Sequence, residues 1–190
     1  KRDGFATLYM DKLRALKNIY RGVEFEDEMV DYLPHCTFNL NPRAASIDTP
    51  LHAYVPKPHV DHMHPDAIIA IAASANSREL TKEIFGGEIG WLPWKRPGYE
   101  LGLWLGKFCE ENPKARGVVL ESHGLFTWGD TAEESYLTTI EIINKAIAWF
   151  EGRITGPVFG GQKFQPLLQD QRREIAAALM PVIRGMISSA

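Results

Sequence analysis

The amino-acid sequence predicts an α/β fold in which a sheet is covered by helices and a site lies at the rim of the sheet. Short β-branched runs, such as residues 116–121, alternate along the chain with longer segments whose apolar residues recur at helical spacing. Polar residues gather where the predicted strands end, a common place for a ligand site. At 190 residues and 45% hydrophobic content, the chain can bury one substantial core.

The N-terminal part of the chain predicts three helices. Residues 3–20 place apolar side chains every two to three positions, which favours one broad helical face against the core. An acidic segment follows and predicts a short helix that Pro34 ends or kinks. A turn-rich stretch then leads into a short helix through Tyr54, with Asp48 or Thr49 as its cap.

The rest of the chain alternates predicted strands and helices. His62 and His64 lie in a strand within 57–67, and a tight turn at Gly124 separates the last two strands. The other predicted strands are 88–94, which Pro93 limits to the edge or the end of the sheet, 116–121 and 125–128. The predicted helices are 65–74, 78–85, 98–111, 131–150 and 169–187.

The last two helices have clear boundary signals. Thr131, followed three residues later by Glu134, predicts a capping box. The glycine- and proline-bearing segment after that helix predicts a linker, and Pro181 should kink the final helix. We therefore predict one domain at 1–152, followed by a linker and C-terminal helix at 153–190.

Composition limits the class of partner. The chain has 21 Lys and Arg against 24 Asp and Glu, a formal net charge of −3, which gives no electrostatic footprint for nucleic acid. No apolar run approaches the length that spans a bilayer. Cys36 and Cys109 fit neither a disulfide framework nor a thiolate metal site. We expect a cytoplasmic protein with a small-molecule partner, and neither nucleic acid nor membrane.

Three histidines are the candidate metal ligands. In a strand, His62 and His64 face the same side, so their rings can converge on one metal ion, whereas Met63 faces the packed side. His59 lies three residues before His62 and faces away. His123 stands at the end of another predicted strand. Three histidines with one open position form the ligand set of a catalytic zinc site.

Asp48 is a candidate carboxylate for the same site, because it also lies in a loop that is predicted at the rim of the sheet. A plain N-cap role explains Asp48 equally well. Ser46 reads as an ordinary turn serine. His35 has no partner in the sequence, which favours a solvated or hydrogen-bonded histidine.

Four ordered segments resemble the class II aldolase/adducin superfamily, and the resemblance covers residues 44–150. They are ASIDTPLHAYV, HVDHMHPDAIIAIAAS, RPGYELG and GVVLESHGLFTWGDTAEES. As a whole the chain is most similar to the aldolase part of bifunctional rhamnulose-1-phosphate aldolase/dehydrogenase proteins. The resemblance implies a three-layer α/β/α fold with a central, mainly antiparallel sheet. It also implies a dehydrogenase domain beyond the C-terminal helix.

The resemblance assigns roles to the candidate residues. His62, His64 and His123 match the family's metal ligands, and Zn²⁺ is the preferred divalent ion for such a set. Asp48 matches the catalytic carboxylate, and Ser46 matches a serine that contacts the substrate phosphate. The implied reaction is retro-aldol cleavage of L-rhamnulose 1-phosphate to dihydroxyacetone phosphate and L-lactaldehyde. The implied assembly is a homotetramer with its active site at a subunit boundary.

The chain departs from the family pattern at three points, and these keep alternatives open. Asp48 stands where most aldolases of the family have glutamate, and the related ribulose-phosphate 4-epimerases have aspartate there. Ile47 replaces a second serine, and the family's Gly- and Asn-bearing N-terminal phosphate loop is expected to be missing before Lys1. A sugar-phosphate 4-epimerase is therefore one alternative. A non-catalytic, adducin-like assembly module is the other, although such members would be expected to lack the three histidines.

Overall fold

The computed structural model describes residues 4–38, 43–156 and 161–188. The chain divides into two compact units, residues 1–153 and residues 154–190. Every helix and strand named below belongs to the first unit, except the last helix.

Eight α-helices lie in the described residues. They are α1 (Met10–Ala15), α2 (Glu26–Tyr32), α3 (Thr49–Tyr54), α4 (Asp66–Ala72), α5 (Ser77–Phe85), α6 (Tyr99–Glu111), α7 (Ala132–Glu151) and α8 (Gln169–Ile187). Short 3-10 turns at Leu16–Asn18, Val23–Phe25 and Leu33–Cys36 flank the first two helices. Pro34 lies in the first turn of the last of these, where a missing N–H costs little, so it tightens the helix into a 3-10 turn.

Four strands form one sheet in the order β1-β4-β3-β2. They are β1 (His59–Met63), β2 (Ile89–Leu92), β3 (Gly117–Leu120) and β4 (Gly124–Gly129). The pairs β1–β4 and β4–β3 are antiparallel, and β2–β3 is parallel. The expected mainly antiparallel sheet is confirmed, and β2 lies at the edge to which Pro93 was expected to restrict it.

Helices cover both faces of the sheet. On one face, α3 and α6 pack through buried side chains that include Leu51 and Leu105. On the other face, α4, α5 and α7 contribute Ile71 and Ile142 to a second buried cluster. Each fully buried side chain of this kind contributes about 1.5–3 kcal/mol. The three-layer α/β/α fold predicted for the chain is therefore confirmed.

The prediction of one long helix over 3–20 is wrong for the first part of that range. Just before α1, Tyr9 is extended and Leu8 forms an antiparallel bridge with Thr37. This pairing satisfies backbone groups that a helix would otherwise use, so the helix begins only at Met10. The side chains expected in the core but exposed in the structure are Phe5, Met10 and Ile19.

The N-terminal helices nevertheless form a small core of their own. Leu13, Met29 and Leu33 are almost fully buried, and they pack with Ala53 of α3 and Tyr99 of α6. Because α3 also packs on the sheet, this third cluster holds α3 from its outer side. The start of α3, which carries Asp48, is thereby held between two cores.

The Thr131 half of the capping box predicted at the start of α7 is confirmed, whereas Glu134 bonds one residue farther back than predicted. The backbone N–H of Glu134 donates to Thr131 Oγ1 at 3.1 Å. The side chain of Glu134 reaches back and accepts from the backbone N–H of Asp130 at 2.7 Å. The first bond satisfies an N–H group that the first turn of α7 leaves unpaired, and the second ties the residue before the cap to the helix.

The second unit contains α8, which has the predicted bounds. Pro181 lies inside this helix, and all of its side chains are exposed. Among the described residues no helix combines the length and apolar character needed to cross a membrane.

Candidate metal centre

The strand order brings two histidine-bearing segments to one end of the sheet. Strand β1 runs antiparallel to β4, so the end of β1 lies beside the start of β4. His62 pairs with Phe126 in this register, and their rings stack with centroids 4.1 Å apart. His64 follows the last residue of β1, and His123 precedes the first residue of β4. The three histidines therefore meet because of topology.

The three imidazoles form a compact triad. Ring centroids are separated by 4.5 Å for His62 and His64, 4.9 Å for His62 and His123, and 5.2 Å for His64 and His123. One ring nitrogen from each residue lies within 4.8 Å of the other two. His62 and His123 are partly buried, whereas His64 is exposed. The triad is thus open to solvent on one side, as a site with a free coordination position requires.

A hydrogen bond to the backbone of β4 fixes the orientation of the His62 ring. Its Nδ1 lies 3.0 Å from the backbone carbonyl oxygen of Leu125, which can only accept, so Nδ1 carries the proton. The lone pair is then on Nε2, which is buried and has no hydrogen-bond partner among the described residues. Metal-bound histidines characteristically donate their other ring nitrogen to a carbonyl in this way.

The protonation states also suit a metal. Burial lowers the pKa of His62 to about 4, and it also lowers the pKa of His123. Both imidazoles are therefore neutral at pH 7, as ligation requires. The Nδ1 of His123, like Nε2 of His62, is buried and unpaired in the described part of the chain. The residues present fit a divalent ion with affinity for imidazole.

The turn that presents His123 differs from the prediction. The left-handed residue is Ser122, with φ of 53°, and its backbone N–H donates to the carbonyl of Ala72 at 2.8 Å. Gly124 is instead the first residue of β4. A Cβ added at Gly124 would lie 2.5 Å from Cδ2 of His64 and 2.8 Å from the carbonyl oxygen of Met63. The glycine is needed for close approach of β1.

Asp48 occupies the N-cap position of α3, but its carboxylate does not cap the helix. The N-cap prediction is thus correct for position and wrong for the role of the side chain. Oδ1 of Asp48 is buried without a hydrogen-bond partner among the described residues. Its charge acts to raise the pKa values of His62 and His123, against the larger effect of burial. Asp48 also lines the same cavity as His62.

Ser46 is exposed and forms a local turn. Its Oγ accepts from the backbone N–H of Asp48 at 3.1 Å, and its carbonyl accepts from the N–H of Thr49 at 3.0 Å. The turn interpretation is confirmed by these bonds. The hydroxyl proton of Ser46 is not used in either of them, and it is free to donate to a ligand.

Comparison with known proteins decides the family. A sequence profile for the Class II Aldolase and Adducin N-terminal domain matches residues 21–149. The chain belongs to this family. The match includes Asp48 and all three histidines of the triad.

Individual relatives agree with this assignment. Over 189 residues the chain is 43% identical to an uncharacterized oxidoreductase, YuxG, of Bacillus subtilis (strain 168), a match that covers 99% of this chain and 27% of that protein. The chain thus spans about a quarter of that relative. The N-terminal class II aldolase domain of a conserved protein from Thermoplasma acidophilum is 32% identical, with a TM-score of 0.69, over 78% of this chain and 67% of that one.

In this class II aldolase-family domain, His62 of the triad lines a cavity of about 660 Å³. Asp48, His52 and His62 contribute polar groups to its lining, and Phe5 and Met10 contribute apolar ones. The cavity has room for a small sugar derivative beside the triad.

His52 is a residue of the site that sequence reasoning missed. It lies one helical turn after Asp48 on α3, and its ring centroid is 5.2 Å from Phe126 and 6.4 Å from His62. Burial is the main cause that lowers its pKa, and the charge of Asp48 opposes this. The spacing of four residues from Asp48 on a helix was the available signal.

The structure also tests the expectations for His59 and Met63. His59 begins β1 and lies outside the triad, as strand alternation predicted. Met63 is 49% exposed, so the expectation that it faces a packed side is wrong. It is the last residue of an edge strand in the described sheet, where the helical layer no longer covers it.

Proposed function

We propose that this chain is the lyase domain of an enzyme that cleaves L-rhamnulose 1-phosphate into dihydroxyacetone phosphate and L-lactaldehyde. Family membership supports the reaction class. The observation that carries the proposal is the placement of an unpaired, buried carboxylate oxygen, that of Asp48, near three histidines that can hold a divalent ion. A base beside a Lewis-acid site is what retro-aldol cleavage of an α-hydroxy ketone needs.

His62, His64 and His123 would hold the ion, for which Zn²⁺ is the preferred candidate. When bound, a divalent ion supplies Lewis-acid stabilisation of the negative charge that develops on the substrate oxygens as the carbon–carbon bond breaks. The protein's own contribution is a fixed tautomer at His62 and neutral imidazoles at His62 and His123. No lysine is required to form a covalent intermediate.

Asp48 would handle the proton at carbon. Cleavage breaks the bond between C3 and C4: Asp48 accepts the proton of the C4 hydroxyl as C4 becomes the aldehyde carbon, and the electron pair remains on C3. Asp48, now protonated, then gives that proton to C3 and completes dihydroxyacetone phosphate. In the reverse direction the same carboxylate removes that proton. General acid–base groups of this kind contribute about 10²–10⁴-fold to the rate.

Ser46 would contact the substrate phosphate. Its exposed hydroxyl retains a donor, and it lines the same cavity as Asp48. The position of the second serine in the family pattern is filled by Ile47, which is 37% exposed and offers no donor. The remaining phosphate contacts must come from groups other than these two side chains.

A sugar-phosphate 4-epimerase is the second candidate, and aspartate at position 48 favours it. An epimerase breaks and re-forms the same carbon–carbon bond without releasing fragments. The shorter side chain of aspartate places the carboxylate one methylene farther back than glutamate. This geometry is compatible with a base that does not need to reach the C3 proton.

A product assay on the full-length protein separates the candidates. With rhamnulose 1-phosphate we expect dihydroxyacetone phosphate, measured by coupled reduction, and Asp48→Asn should lower kcat by at least about 100-fold while bound metal is unchanged. Glu79→Gln, on α5 and outside the triad, is the matched control and should retain activity. Epimerisation of ribulose 5-phosphate without fragment release would favour the second candidate. Neither reaction, together with no bound metal, would favour the assembly module.

The rest of the parent protein is also part of the proposal. The relative from Bacillus subtilis is named an oxidoreductase, and this chain matches 27% of it. We propose that a dehydrogenase domain adjoins the aldolase domain and that the two act on one sugar-degradation route. Assembly as a homotetramer stays a prediction.

A further inference from the structure

We propose that Asp61 is a positioning residue that holds β1, and with it His62 and His64, at the spacing the metal site needs. This inference rests on the proposed function, since it concerns the same triad. It assigns a role to a polar cluster on the opposite face of the sheet. The cluster comprises Asp61, Thr127, Ser135 and Thr139.

The cluster joins β1 to α7 through a carboxylate. Ser135 Oγ donates to Asp61 Oδ2 at 2.7 Å, and Thr139 Oγ1 lies 3.3 Å from the same oxygen. Thr139 Oγ1 is in turn 2.6 Å from Thr127 Oγ1, on β4. The Thr139 hydroxyl has one proton, and the backbone carbonyl oxygen of Ser135 accepts from it at 2.9 Å, closer than Asp61. The short bond from Ser135 is therefore the one that ties the carboxylate of Asp61 to α7.

The position of Asp61 in the strand explains why it matters for the histidines. It pairs with Thr127, and the next pair along the strands is His62 with Phe126. Strand alternation then directs Asp61 toward α7 and His62 toward α3. Strand β1 is an edge strand in the described sheet, paired only with β4. Side-chain bonds from α7 therefore supply the restraint that a second neighbouring strand would otherwise give.

The carboxylate has no cationic partner at this position. Ser135, Thr139 and Thr127 are each at most 4% exposed, Asp61 itself is partly buried, and in the described chain no lysine or arginine forms an ion pair with Asp61. Asp61 is instead held by the hydroxyl of Ser135, and a hydrogen bond to an ionised acceptor is stronger than one between neutral groups. This bond is directional, so it restrains β1 against movement relative to α7.

Two of the three metal ligands depend on the position of β1. His62 and His64 move with β1, whereas His123 belongs to the turn between β3 and β4. Loss of the carboxylate would let β1 shift relative to His123 while the core clusters remain intact. Metal sites tolerate such shifts poorly, because ligands must be held within about 0.5 Å of their working geometry.

The test measures Zn²⁺ affinity of the metal-stripped full-length protein by competition with a chelator, together with the melting temperature of the same metal-free samples. Asp61→Ala and the double variant Ser135→Ala/Thr139→Ala should each weaken binding by about ten-fold or more. Asp61→Asn keeps an acceptor oxygen for the Ser135 hydroxyl and should stay within about three-fold of wild type. Because Asp61→Ala and the double variant each test the loss of Zn²⁺ affinity, the test remains valid if one of them folds poorly.

The matched control is Ser77→Ala/Thr81→Ala on α5. This pair has the same spacing, is equally buried and also makes internal hydrogen bonds, but it contacts β2 instead of β1. It should lower the melting temperature without changing Zn²⁺ affinity. Unchanged affinity in both test variants, an equal loss in Asp61→Asn, or an equal loss in the control would overturn the inference. Failure of the wild-type protein to bind Zn²⁺ would instead overturn the metal site itself.

Discussion

Gly124 shows how a single residue without a side chain shapes the metal centre. Its backbone approaches β1 so closely that a methyl group would meet both the ring of His64 and the carbonyl of Met63. We expect Gly124→Ala to push the ends of β1 and β4 apart, costing about 1–3 kcal/mol in the free energy of unfolding. Zn²⁺ affinity should fall by at least about ten-fold, measured by chelator competition.

Gly87→Ala is the control for that substitution. A Cβ at Gly87 meets nothing within 4 Å, so the variant should match wild type in both stability and affinity. Wild-type affinity in Gly124→Ala would show that the close approach has no role in holding His64. The sequence suggested a turn role for this glycine, because a histidine–glycine pair at a strand end looks like a turn signal.

For single residues, the sequence predicted the three metal ligands better than it predicted the residues around them. Alternation along a strand is strict, so the shared face of His62 and His64 followed from spacing alone. Nothing local could show that His123 would join them, since that depends on β1 and β4 being neighbours. The unpaired oxygen of Asp48 was equally hidden, because an N-cap position usually implies a capping side chain.

Helix α7 illustrates an element whose start is specified by its own sequence. The side chain of Thr131 accepts the predicted capping bond from the backbone N–H of Glu134. We expect Thr131→Ala to lower the free energy of unfolding by about 1 kcal/mol, measured by urea titration. Asn76→Ala is the matched comparison, because Asn76 precedes α5 without making a side-chain capping bond. Equal effects of the two substitutions would contradict the assignment of stability to the cap.

The N-terminal helix was overpredicted because elements compete for backbone hydrogen bonds. Apolar spacing over 3–20 fits a helix, yet Phe38 donates its N–H to Thr7 at 2.8 Å, and Tyr9 donates to Cys36 at 2.8 Å. Both bonds join segments about thirty residues apart, and no local pattern encodes them. Helices α4 to α8 were predicted well because each has its own start or stop signal.

On the scale of the whole molecule, the metal site joins parts of the chain that have separate supports. The triad connects β1 with the turn between β3 and β4, and Asp48 approaches from α3, which the N-terminal cluster holds in place. The three-layer arrangement was predictable from alternating strands and helices, together with the family resemblance. The order of the strands, and hence the meeting of the triad, was fixed by long-range packing that local sequence does not specify.

This joining predicts a link between metal binding and global stability. An ion that binds the folded protein alone, at 100 times its dissociation constant, adds about 2.7 kcal/mol. For a chain of this size that corresponds to a rise of about 5–10 °C in melting temperature. We expect a chelator to lower the melting temperature by this amount and Zn²⁺ to restore it. His123→Ala should abolish the response, because the site then keeps only two of its three ligands, both carried by the β1 segment. His35→Ala, at an exposed histidine outside the triad, should respond as wild type does. If His123→Ala kept the full response, Zn²⁺ would be binding elsewhere, and the triad would lose its assignment as the metal centre.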